Sequence, residues 1–460
     1  MTTFKSSVAA YDALLGDAAT RAVRFLHDLQ ERAVRPSPAA IADLAAFGGS
    51  LPEGPSDPAT VLALLDDIGS PATQGSAGPR FFGWVIGGSL PVTVGANWLA
   101  TAWDQNAGLW AVSPVASAVE EVALSWLLDL LDLPRASAGA FTTGATMANF
   151  TCLAAARHAL LAREGWDVEA EGLFGAPPVN VVVGAEAHPS LTKALGMLGF
   201  GRSRVITVPV DSEGRMLAAD LPDVRGPTLI CAQAGNVNTG AIDPMGDICA
   251  WARARGAWVH VDGAFGLWAA AAPTRKHLVA GIADADSWAT DAHKWLNVPY
   301  DSGVAIVRDA GALRASMSVS ASYLPQGERR EPVDYTPELS RRARGIEIYA
   351  AIRTLGRSGV ADMIERCCRH ARRFADGLQA AGYAVLNDVQ LNQVLVSFGD
   401  AAETERVIAT IQEDGTCFCG GTVWQEHTAM RISVSSWATT EEDVERSLEA
   451  MIRCAGARAS

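Results

Sequence analysis

The sequence predicts an α/β protein with a mostly parallel central sheet and a small C-terminal α+β domain. Between residues 76 and 355, short β-branched runs alternate with helical stretches, as in a sheet covered by helices. Several of these runs are apolar on both faces, which is typical of strands buried in a parallel sheet. After residue 356 a long helical stretch is followed by shorter strand and helix patterns, which predict a second domain.

The 460 residues divide into three predicted regions. Residues 1–75 have the pattern of amphipathic helices at 11–35 and 59–68, separated by a Pro/Gly/Ser-rich run at 48–58. We expect this helical segment to pack on a neighbour, such as the second subunit of a dimer, rather than fold alone. Residues 76–355 form the predicted large α/β domain, and residues 356–460 form the predicted small α+β domain.

Strands of the large domain are predicted where β-branched residues cluster, at 179–183, 204–210, 228–232, 258–261, 287–290 and 304–307. Helices are predicted between them, for example at 147–164 and 243–255. In the small domain we expect a helix at 360–381, strands at 393–398, 422–425 and 430–434, and helices at 403–413 and 441–452. Parallel sheets bind ligands at the carboxyl ends of their strands, so polar residues directly after these strands are the first site candidates.

The composition excludes several classes of function. The net charge of −14 argues against nucleic acid or an anionic membrane surface as the main partner. No stretch approaches the ~20 apolar residues of a membrane helix, and the first residues lack a signal-peptide pattern, so we expect a soluble, cytoplasmic protein. The eight cysteines are dispersed without a CxxC pair, which predicts free buried thiols and no metal site.

The first site candidate is a polar turn that leads into a predicted helix. It reads Phe-Thr-Thr-Gly-Ala-Thr-Met-Ala-Asn over residues 141–149, and Gly144 permits close backbone approach. The free amides and the positive dipole at a helix start attract phosphate groups. An ordinary Thr-capped helix has the same pattern, so the turn alone leaves both interpretations open.

Two more candidates place a polar side chain directly after a predicted strand. Asp262 ends the strand at 258–261, and a carboxylate there can keep a pyridine ring protonated and able to accept electrons. His188 follows the strand at 179–183, and its flat imidazole can stack on an aromatic ring and move a proton. A helix-capping Asp and a hydrogen-bonded loop His are the structural alternatives.

The fourth candidate is Lys294, in the run Asp-Ala-His-Lys-Trp-Leu at 291–296. The chain has four lysines, and of these only Lys294 follows a predicted strand between imidazole and aromatic neighbours. Desolvation disfavours an ammonium group, and the neutral amine can attack an aldehyde. His293 beside it could contact a phosphate, whereas a snorkelling surface lysine is the alternative interpretation. Together the four candidates supply the groups that pyridoxal phosphate requires.

With these motifs the chain resembles the group II pyridoxal-phosphate-dependent amino acid decarboxylases, the family of aromatic-L-amino-acid and glutamate decarboxylases. The resemblance covers most of the chain from Pro79 and includes Pro-Arg-Phe-Phe-Gly at 79–83, Ser113-Pro114, Glu120 and His293-Lys294-Trp295. It implies the aspartate-aminotransferase-like fold (fold type I), the cofactor pyridoxal 5′-phosphate, and a homodimer with its active sites at the interface. The implied reaction converts an L-amino acid to an amine and CO2.

The resemblance also assigns roles to single residues. Lys294 would form the aldimine with the cofactor, Asp262 would pair with its pyridine nitrogen, and His188 would stack on its ring. The implied cofactor-binding set is completed by Gly144, Ala145, Thr146, Ala264 and His293.

Two further positions are a loop tyrosine and an aspartate next to the lysine motif. In the resembled enzymes a loop tyrosine protonates the substrate carbanion, and the segment 323–340 takes the corresponding place, with Tyr335 as first candidate and Tyr323 as second. Where the family has an asparagine, this chain has Asp291. A carboxylate beside a phosphate is repelled unless it points elsewhere or is paired, so Asp291 is left out of the phosphate-binding set.

The predicted substrate pocket contains Phe82, Trp84 and Trp110, in regions that line the side-chain pocket of the resembled enzymes. These apolar residues favour an aromatic substrate, whereas the polar residues at 104–106 would suit a diamino or acidic one. Two alternatives remain open. One is a different reaction on the same cofactor, such as that of an aldehyde synthase or an aminotransferase, and the other is a scaffold protein that has lost the reaction.

Overall fold

The computed structural model of the chain describes residues 8–319 and 329–457. Within these ranges the central sheet has seven strands, whose bounds are β1 (Ala138–Thr142), β2 (Asn180–Gly184), β3 (Ile206–Val208), β4 (Thr228–Gln233), β5 (Trp258–Asp262), β6 (Ser287–Asp291) and β7 (Gly303–Val307). Their order across the sheet is β1-β7-β6-β5-β4-β2-β3. Of these strands, β7 alone runs in the direction opposite to the other six. The prediction of a mostly parallel sheet is therefore confirmed.

Helices cover both faces of this sheet and precede it in the chain. Their bounds are α1 (Val8–Asp28), α2 (Pro38–Asp43), α3 (Pro58–Ala72), α4 (Pro91–Trp103), α5 (Pro114–Leu130), α6 (Ala145–Arg163), α7 (Val168–Glu171), α8 (Pro189–Met197), α9 (Met245–Arg255) and α10 (Ala310–Met317). Short 3-10 helices lie at Leu44–Phe47, Arg202–Arg204, Ala218–Asp220, Gly266–Ala271, Lys276–Val279, Ile282–Asp284 and Pro332–Tyr335. Helix α6 packs across β5, β6 and β7, with buried alanines and leucines on its sheet-facing side.

The C-terminal part of the chain forms a second, four-stranded antiparallel sheet. It consists of β8 (Ala384–Val385), β9 (Gln393–Ser397), β10 (Gly420–Trp424) and β11 (His427–Ser433), in the order β10-β11-β9-β8. Helices α11 (Gly345–Ala380), α12 (Ala401–Asp414) and α13 (Glu441–Gly456) pack on it and on one another. The long helix α11 is interrupted at Gly356, whose φ of 59° lies in the left-handed region.

Strand β1 was not predicted; its residues Ala-Gly-Ala-Phe-Thr are mostly small and have low intrinsic strand propensity. The strand exists because small residues let it lie close to β7. A Cβ on Gly139 would stand 2.6 Å from the carbonyl oxygen of Ala305 on β7. The predicted strand at 204–210 is shorter in the structure, since Arg202–Arg204 forms a 3-10 turn before β3.

All eight cysteines fall within the described ranges, and each is buried and free of a disulfide. In those same ranges no helix is both long and apolar enough to cross a membrane. Nor do the described residues contain a group of three or more His, Cys, Asp or Glu side chains arranged to hold a metal ion.

Candidate active site

The candidate site lies where the carboxyl ends of β2, β5 and β6 meet the first turn of α6. The parallel register aligns Asp262 at the end of β5 with Ala289 on β6. The backbone N–H of Asp291 then donates to the carbonyl oxygen of Ala264 at 2.9 Å, which joins the two loops that follow these strands. Residues far apart in sequence are thereby brought to one edge of the sheet, as the parallel topology requires.

The turn before α6 depends on Gly144. Its φ is 154°, and a Cβ placed there would stand 3.2 Å from Cε1 of His293 and 3.5 Å from Oδ1 of Asp291. Gly303, the first residue of β7, is needed as well, because its Cβ would come within 2.5 Å of the Gly144 backbone. These two glycines leave a small space in front of the first backbone N–H groups of α6.

Asp291 is the centre of the charged contacts at this helix start. Its Oδ1 accepts a hydrogen bond from the backbone N–H of Ala145 at 2.6 Å. The same oxygen lies 3.5 Å from Nε2 of His293, and Oδ2 lies 3.1 Å from Nζ of Lys294. Asp291 is almost fully buried. The carboxylate, which was left out of the phosphate-binding set, therefore contacts three members of the predicted cofactor site.

The donors around Asp291 fit an anionic phosphate group. The start of α6 offers backbone N–H groups at its positive end, Thr146 in the same turn is half-buried, and His293 is buried beside Gly144. Ser302 donates its backbone N–H to Nδ1 of His293 at 3.2 Å, while its own buried hydroxyl has no hydrogen-bond partner. Burial lowers the pKa of His293 below its ordinary value, while the charge of Asp291 acts in the opposite direction.

Lys294 is the sole lysine of the described residues that lies in such a cluster. Lys193 is exposed, and Lys276 forms a surface ion pair with Asp132 at 2.8 Å. Lys5 lies outside the described residues. The side chain of Lys294 is 20% exposed. A Cβ on Gly87 would overlap the backbone carbonyl oxygen of Lys294, so the backbone at Gly87 packs directly against the backbone of Lys294.

His188 and Asp262 line the other part of the site. His188 begins α8, and its Nδ1 accepts the backbone N–H of Ser190 at 3.2 Å. Burial lowers the pKa of His188, and the charges of Asp262 and Lys294 act on it in opposite directions. Asp262 accepts the backbone N–H of Ala264 on Oδ1 at 3.3 Å and the side-chain amide of Asn149 on Oδ2 at 3.1 Å. Ala264 itself is half-buried between these groups.

Two of the three predicted pocket residues do not lie beside this cluster. Phe82 is 1% exposed and packs edge-on against Phe374 of α11, at 5.0 Å between ring centroids, so within one chain it is part of the core. Trp110 binds the segment at 329–331 instead, with its backbone N–H on Glu331 and its ring under Arg329.

Trp84 lies three residues before Gly87, whose backbone packs against the carbonyl oxygen of Lys294. It is 59% exposed, although its ring stacks on Phe81 and Phe418. Trp84 and Val85 have φ values of 49° and 60°, a left-handed conformation that costs energy for residues with side chains. Through the following Gly87 this strained turn is held against Lys294.

The structure does not bring Tyr335 to Lys294 within one chain. Tyr335 lies under Arg330 and borders a cavity with Ala138 and Ile306. Those residues occupy the end of the β1–β7 pair that is remote from Gly144, since Thr142 and Gly303 pair at the opposite end. Tyr323, the second candidate, lies outside the described residues.

Sequence reasoning missed three side chains of this region. Asn149 and His260 are fully buried behind Asp262, and Arg431 on β11 is a mostly buried cation that acts on the titration of His188. Asn149 is the last residue of the turn-and-helix motif at 141–149, and His260 lies two residues before Asp262 on the same strand. These positions in the sequence were the available signal that both side chains lie near Asp262. Arg431 comes from the second sheet, which only the tertiary structure brings to the site.

Comparisons with known proteins found a matching family profile, related sequences and similar solved structures. A sequence profile described as the pyridoxal-dependent decarboxylase conserved domain matches residues 49–399. The chain is 30% identical to L-2,4-diaminobutyrate decarboxylase of Rhizobium meliloti (strain 1021) over 415 residues, which cover 85% of this chain and 81% of the relative. It is 26% identical to aromatic-L-amino-acid decarboxylase of Bacillus atrophaeus, with 85% of each chain covered.

Among solved structures, the Oryza sativa TDC bound to PLP and tryptamine superposes with a TM-score of 0.91. The superposition covers 99% of both chains at 22% identity. This likeness shows that the whole chain has the fold of that protein, which is fold type I as predicted.

Proposed function

The chain belongs to the pyridoxal-dependent decarboxylase family, and we propose that it removes CO2 from an L-amino acid with an aromatic side chain. Members of this family are carboxy-lyases that use pyridoxal phosphate. The observation that carries the proposal for this chain is the gathering of Lys294, His188 and Asp262 at one sheet edge, in front of the start of α6.

The proposed cofactor contacts follow from the chemistry of each side chain. The backbone N–H of Ala145, together with Thr146 and His293, would hold the phosphate in the space that Gly144 leaves open. Asp262 would hold a proton on the pyridine nitrogen, because a buried carboxylate stabilises an adjacent cation. Ala264 would contact the ring from the loop that also carries Asp262.

Pyridoxal phosphate, when bound, supplies an aldehyde that takes up the substrate amine and a ring that takes up the electron pair left by CO2. Lys294 would hold the aldehyde end until the substrate amine replaces it. His188, with its Nδ1 occupied by Ser190, carries its proton on Nε2 and would stack on the ring face. Arg431 is a mostly buried guanidinium with one hydrogen bond to the Val237 carbonyl, and its remaining donors would orient the substrate carboxylate.

Protonation of the substrate carbon requires a further group. Tyr335 packs at the remote end of the β1–β7 pair, which argues against it as the donor in its own chain. We therefore favour Tyr323 for this role. Without the tyrosine the substrate carbon would stay unprotonated, and its oxidation by dissolved O2 would yield an aldehyde, ammonia and H2O2, so product analysis also separates a decarboxylase from an aldehyde synthase.

The proposed preference for aromatic substrates rests on Trp84. Its ring is 59% exposed and lies three residues before Gly87, which packs against the Lys294 carbonyl, so it would offer the substrate an apolar surface of the size of an aromatic side chain. The competing candidate is a diamino substrate, because the relative at 30% identity is named for 2,4-diaminobutyrate. A diamino side chain would need a carboxylate near the pocket, for which Asp104 is exposed at the end of α4.

We also propose that the chain forms a homodimer through its N-terminal helices and α4. Most of the exposed large hydrophobic side chains in the described ranges belong to the first 122 residues, among them Tyr11, Leu15, Phe47, Leu51, Trp98 and Leu99. An apolar surface of this extent is typical of a protein interface. Sedimentation of Leu99→Asp should yield monomers, whereas Phe174→Asp, at a 99% exposed position elsewhere, should leave the dimer intact.

The function can be tested by borohydride reduction of the cofactor-loaded protein followed by peptide mapping. The label should appear on Lys294 in the wild type and be absent from Lys294→Ala, while Lys193→Ala, at an exposed site, should label normally. A parallel CO2-release panel with Tyr, Trp, Dopa, Glu, Asp and diaminobutyrate should show turnover of the aromatic substrates. Turnover of only the last three would overturn the aromatic preference, and a label on another lysine would overturn the proposed site.

A further inference from the structure

A continuous chain of buried hydrogen bonds runs behind Asp262. The indole Nε1 of Trp258 lies 2.9 Å from Oγ of Ser287, and that oxygen lies 2.9 Å from Nδ1 of His260. His260 Nε2 lies 2.9 Å from Oδ1 of Asn149, whose Nδ2 lies 3.1 Å from Oδ2 of Asp262. All five residues are buried, and they come from β5, β6 and α6. We call this set the Asp262 relay.

The direction of the relay is determined at its far end. An indole nitrogen can only donate, so Ser287 accepts from Trp258. The one hydroxyl hydrogen of Ser287 is then free to point at His260, whose Nδ1 accepts it. If Nδ1 carried the proton instead, Ser287 would face two donors and its own hydrogen would have no partner among the contacts of the described residues.

The end at Asp262 requires the same direction. A carboxylate can only accept, so Asn149 must turn its Nδ2 toward Asp262 and its Oδ1 toward His260. A flipped amide would place two oxygens 3.1 Å apart in a buried site, where their repulsion is poorly screened. His260 must therefore carry its proton on Nε2. Both ends of the relay, argued independently, select the same tautomer.

A relay of this kind requires an uncharged His260. Complete burial lowers the pKa of His260 to about 3, so the ring is neutral throughout the physiological range. No carboxylate of the described residues is hydrogen-bonded to the ring to favour its charged form. The residue thus acts as a fixed dipole that accepts from Ser287 and donates toward Asp262 through Asn149.

We propose that Asn149 and His260 are positioning residues that hold the Asp262 carboxylate in orientation for a cationic ring nitrogen. The inference rests on the proposed function, because it gives Asp262 its partner. Asn149 occupies Oδ2 and the Ala264 backbone occupies Oδ1, so both carboxylate oxygens are fixed from the protein side. With its orientation set in advance, Asp262 needs no rearrangement when the pyridine nitrogen approaches.

The tautomer can be measured in the chain without cofactor. Nitrogen-15 NMR on histidine-labelled protein should show one imidazole with hydrogen on Nε2 and a bare Nδ1, unchanged between pH 8 and about 5. The signal should be absent from His260→Gln. A His260 signal with hydrogen on Nδ1, or one that titrates near its ordinary pKa, would overturn the inference.

The effect on Asp262 can be measured by binding, with two ligands that differ in one atom. Asn149→Leu should weaken the binding of pyridoxal phosphate roughly tenfold or more, the usual scale for a hydrogen bond to a charged group. Binding of the carbocyclic analogue, in which CH replaces the ring nitrogen, should stay within about twofold of wild type. Thr151→Val, which removes a buried hydroxyl from the same helix, is the matched control and should alter neither ligand.

Equal weakening of both ligands by Asn149→Leu would mean that Asn149 only stabilises the fold, and would overturn the inference. His260→Leu should behave as Asn149→Leu does, and His260→Gln, which keeps a donor, should recover part of the difference. Failure of the proposed function looks different, since wild-type protein would then bind neither ligand or release no CO2. The tautomer measurement on the free chain would still test the relay in that case.

Discussion

One carboxylate oxygen of Asp291 lies 2.6 Å from the backbone nitrogen of Ala145, and the other lies 3.1 Å from Nζ of Lys294. A negative side chain therefore occupies the positive end of α6 and forms an ion pair with Lys294. The same donors would serve a phosphate group. Where the resembled family has a neutral amide, this chain has built its own anion into the site, and cofactor binding must displace or tolerate that charge.

Asp291→Asn should bind pyridoxal phosphate more tightly, by roughly five- to tenfold at pH 7.5. The amide keeps an acceptor for the Ala145 N–H and removes a charge that repels the phosphate. Fluorescence titration of the chain with pyridoxal phosphate measures the affinity. Pyridoxal, which lacks the phosphate, is the control ligand and should gain little. Weaker phosphate binding by the variant would show that the Asp291 charge supports the site instead.

Gly144→Ala should lose most of its affinity for pyridoxal phosphate. The added Cβ would meet His293 and Asp291 in the space before α6, at a φ of 154° that disfavours side chains. Gly246→Ala, in the first turn of α9 with nothing within 4 Å of the new Cβ, is the matched control and should bind normally. Equilibrium dialysis of both variants against the cofactor makes the comparison. Unchanged binding by Gly144→Ala would remove the phosphate from this turn.

Acidification should destabilise the wild-type chain partly through His260. Burial holds the pKa of His260 at about 3, whereas the unfolded chain takes up a proton near 6.5. The unfolded state therefore binds more protons below pH 6.5, and the stability contributed by the neutral ring is lost progressively from pH 6.5 toward pH 3, by up to ~5 kcal/mol. Urea unfolding of wild type and His260→Gln between pH 7 and 4.5 should show a shallower loss in the variant. Parallel curves would contradict the prediction.

Tyr323→Phe should still release CO2 while producing aldehyde, and Tyr335→Phe should retain the wild-type ratio of amine to CO2. The reason is the position of Tyr335 under Arg330, at the remote end of the β1–β7 pair. Simultaneous assays of amine, aldehyde and CO2 separate the two variants. Aldehyde from Tyr335→Phe alone would return the proton-donor role to Tyr335.

Trp84→Ala should lower kcat/KM for aromatic substrates by at least tenfold, because the proposed aromatic contact with the substrate side chain is lost. Turnover of diaminobutyrate should change much less. Phe174→Ala removes a 99% exposed aromatic ring elsewhere and should leave every substrate unaffected. An equal loss for all substrates would mean that Trp84 supports the strained turn at 84–85 rather than the choice of substrate.

The strand predictions succeeded where the residues carry an intrinsic signal. β4, β5, β6 and β7 begin and end within one residue of the predicted ranges, and every residue in these four strands is buried. Strand β1 was not predicted because its small residues have low strand propensity, and it is paired with β7 alone. The sequence also could not show that Phe82 is buried against Phe374, since an aromatic residue has the same sequence signal whether it packs in a core or lines a cavity.

The sequence by itself determined the fold class and the family, and it named the candidate site residues, because motifs at the ends of strands are local patterns. Lys294, His188 and Asp262 could be named from such patterns alone. Only the tertiary structure decided which atoms meet: the carboxylate of Asp291 at the start of α6, Tyr335 away from the lysine, and the relay through His260 and Asn149. Hydrogen bonds across 111 and 146 positions of sequence depend on how the sheet and α6 pack, and no local pattern encodes that packing.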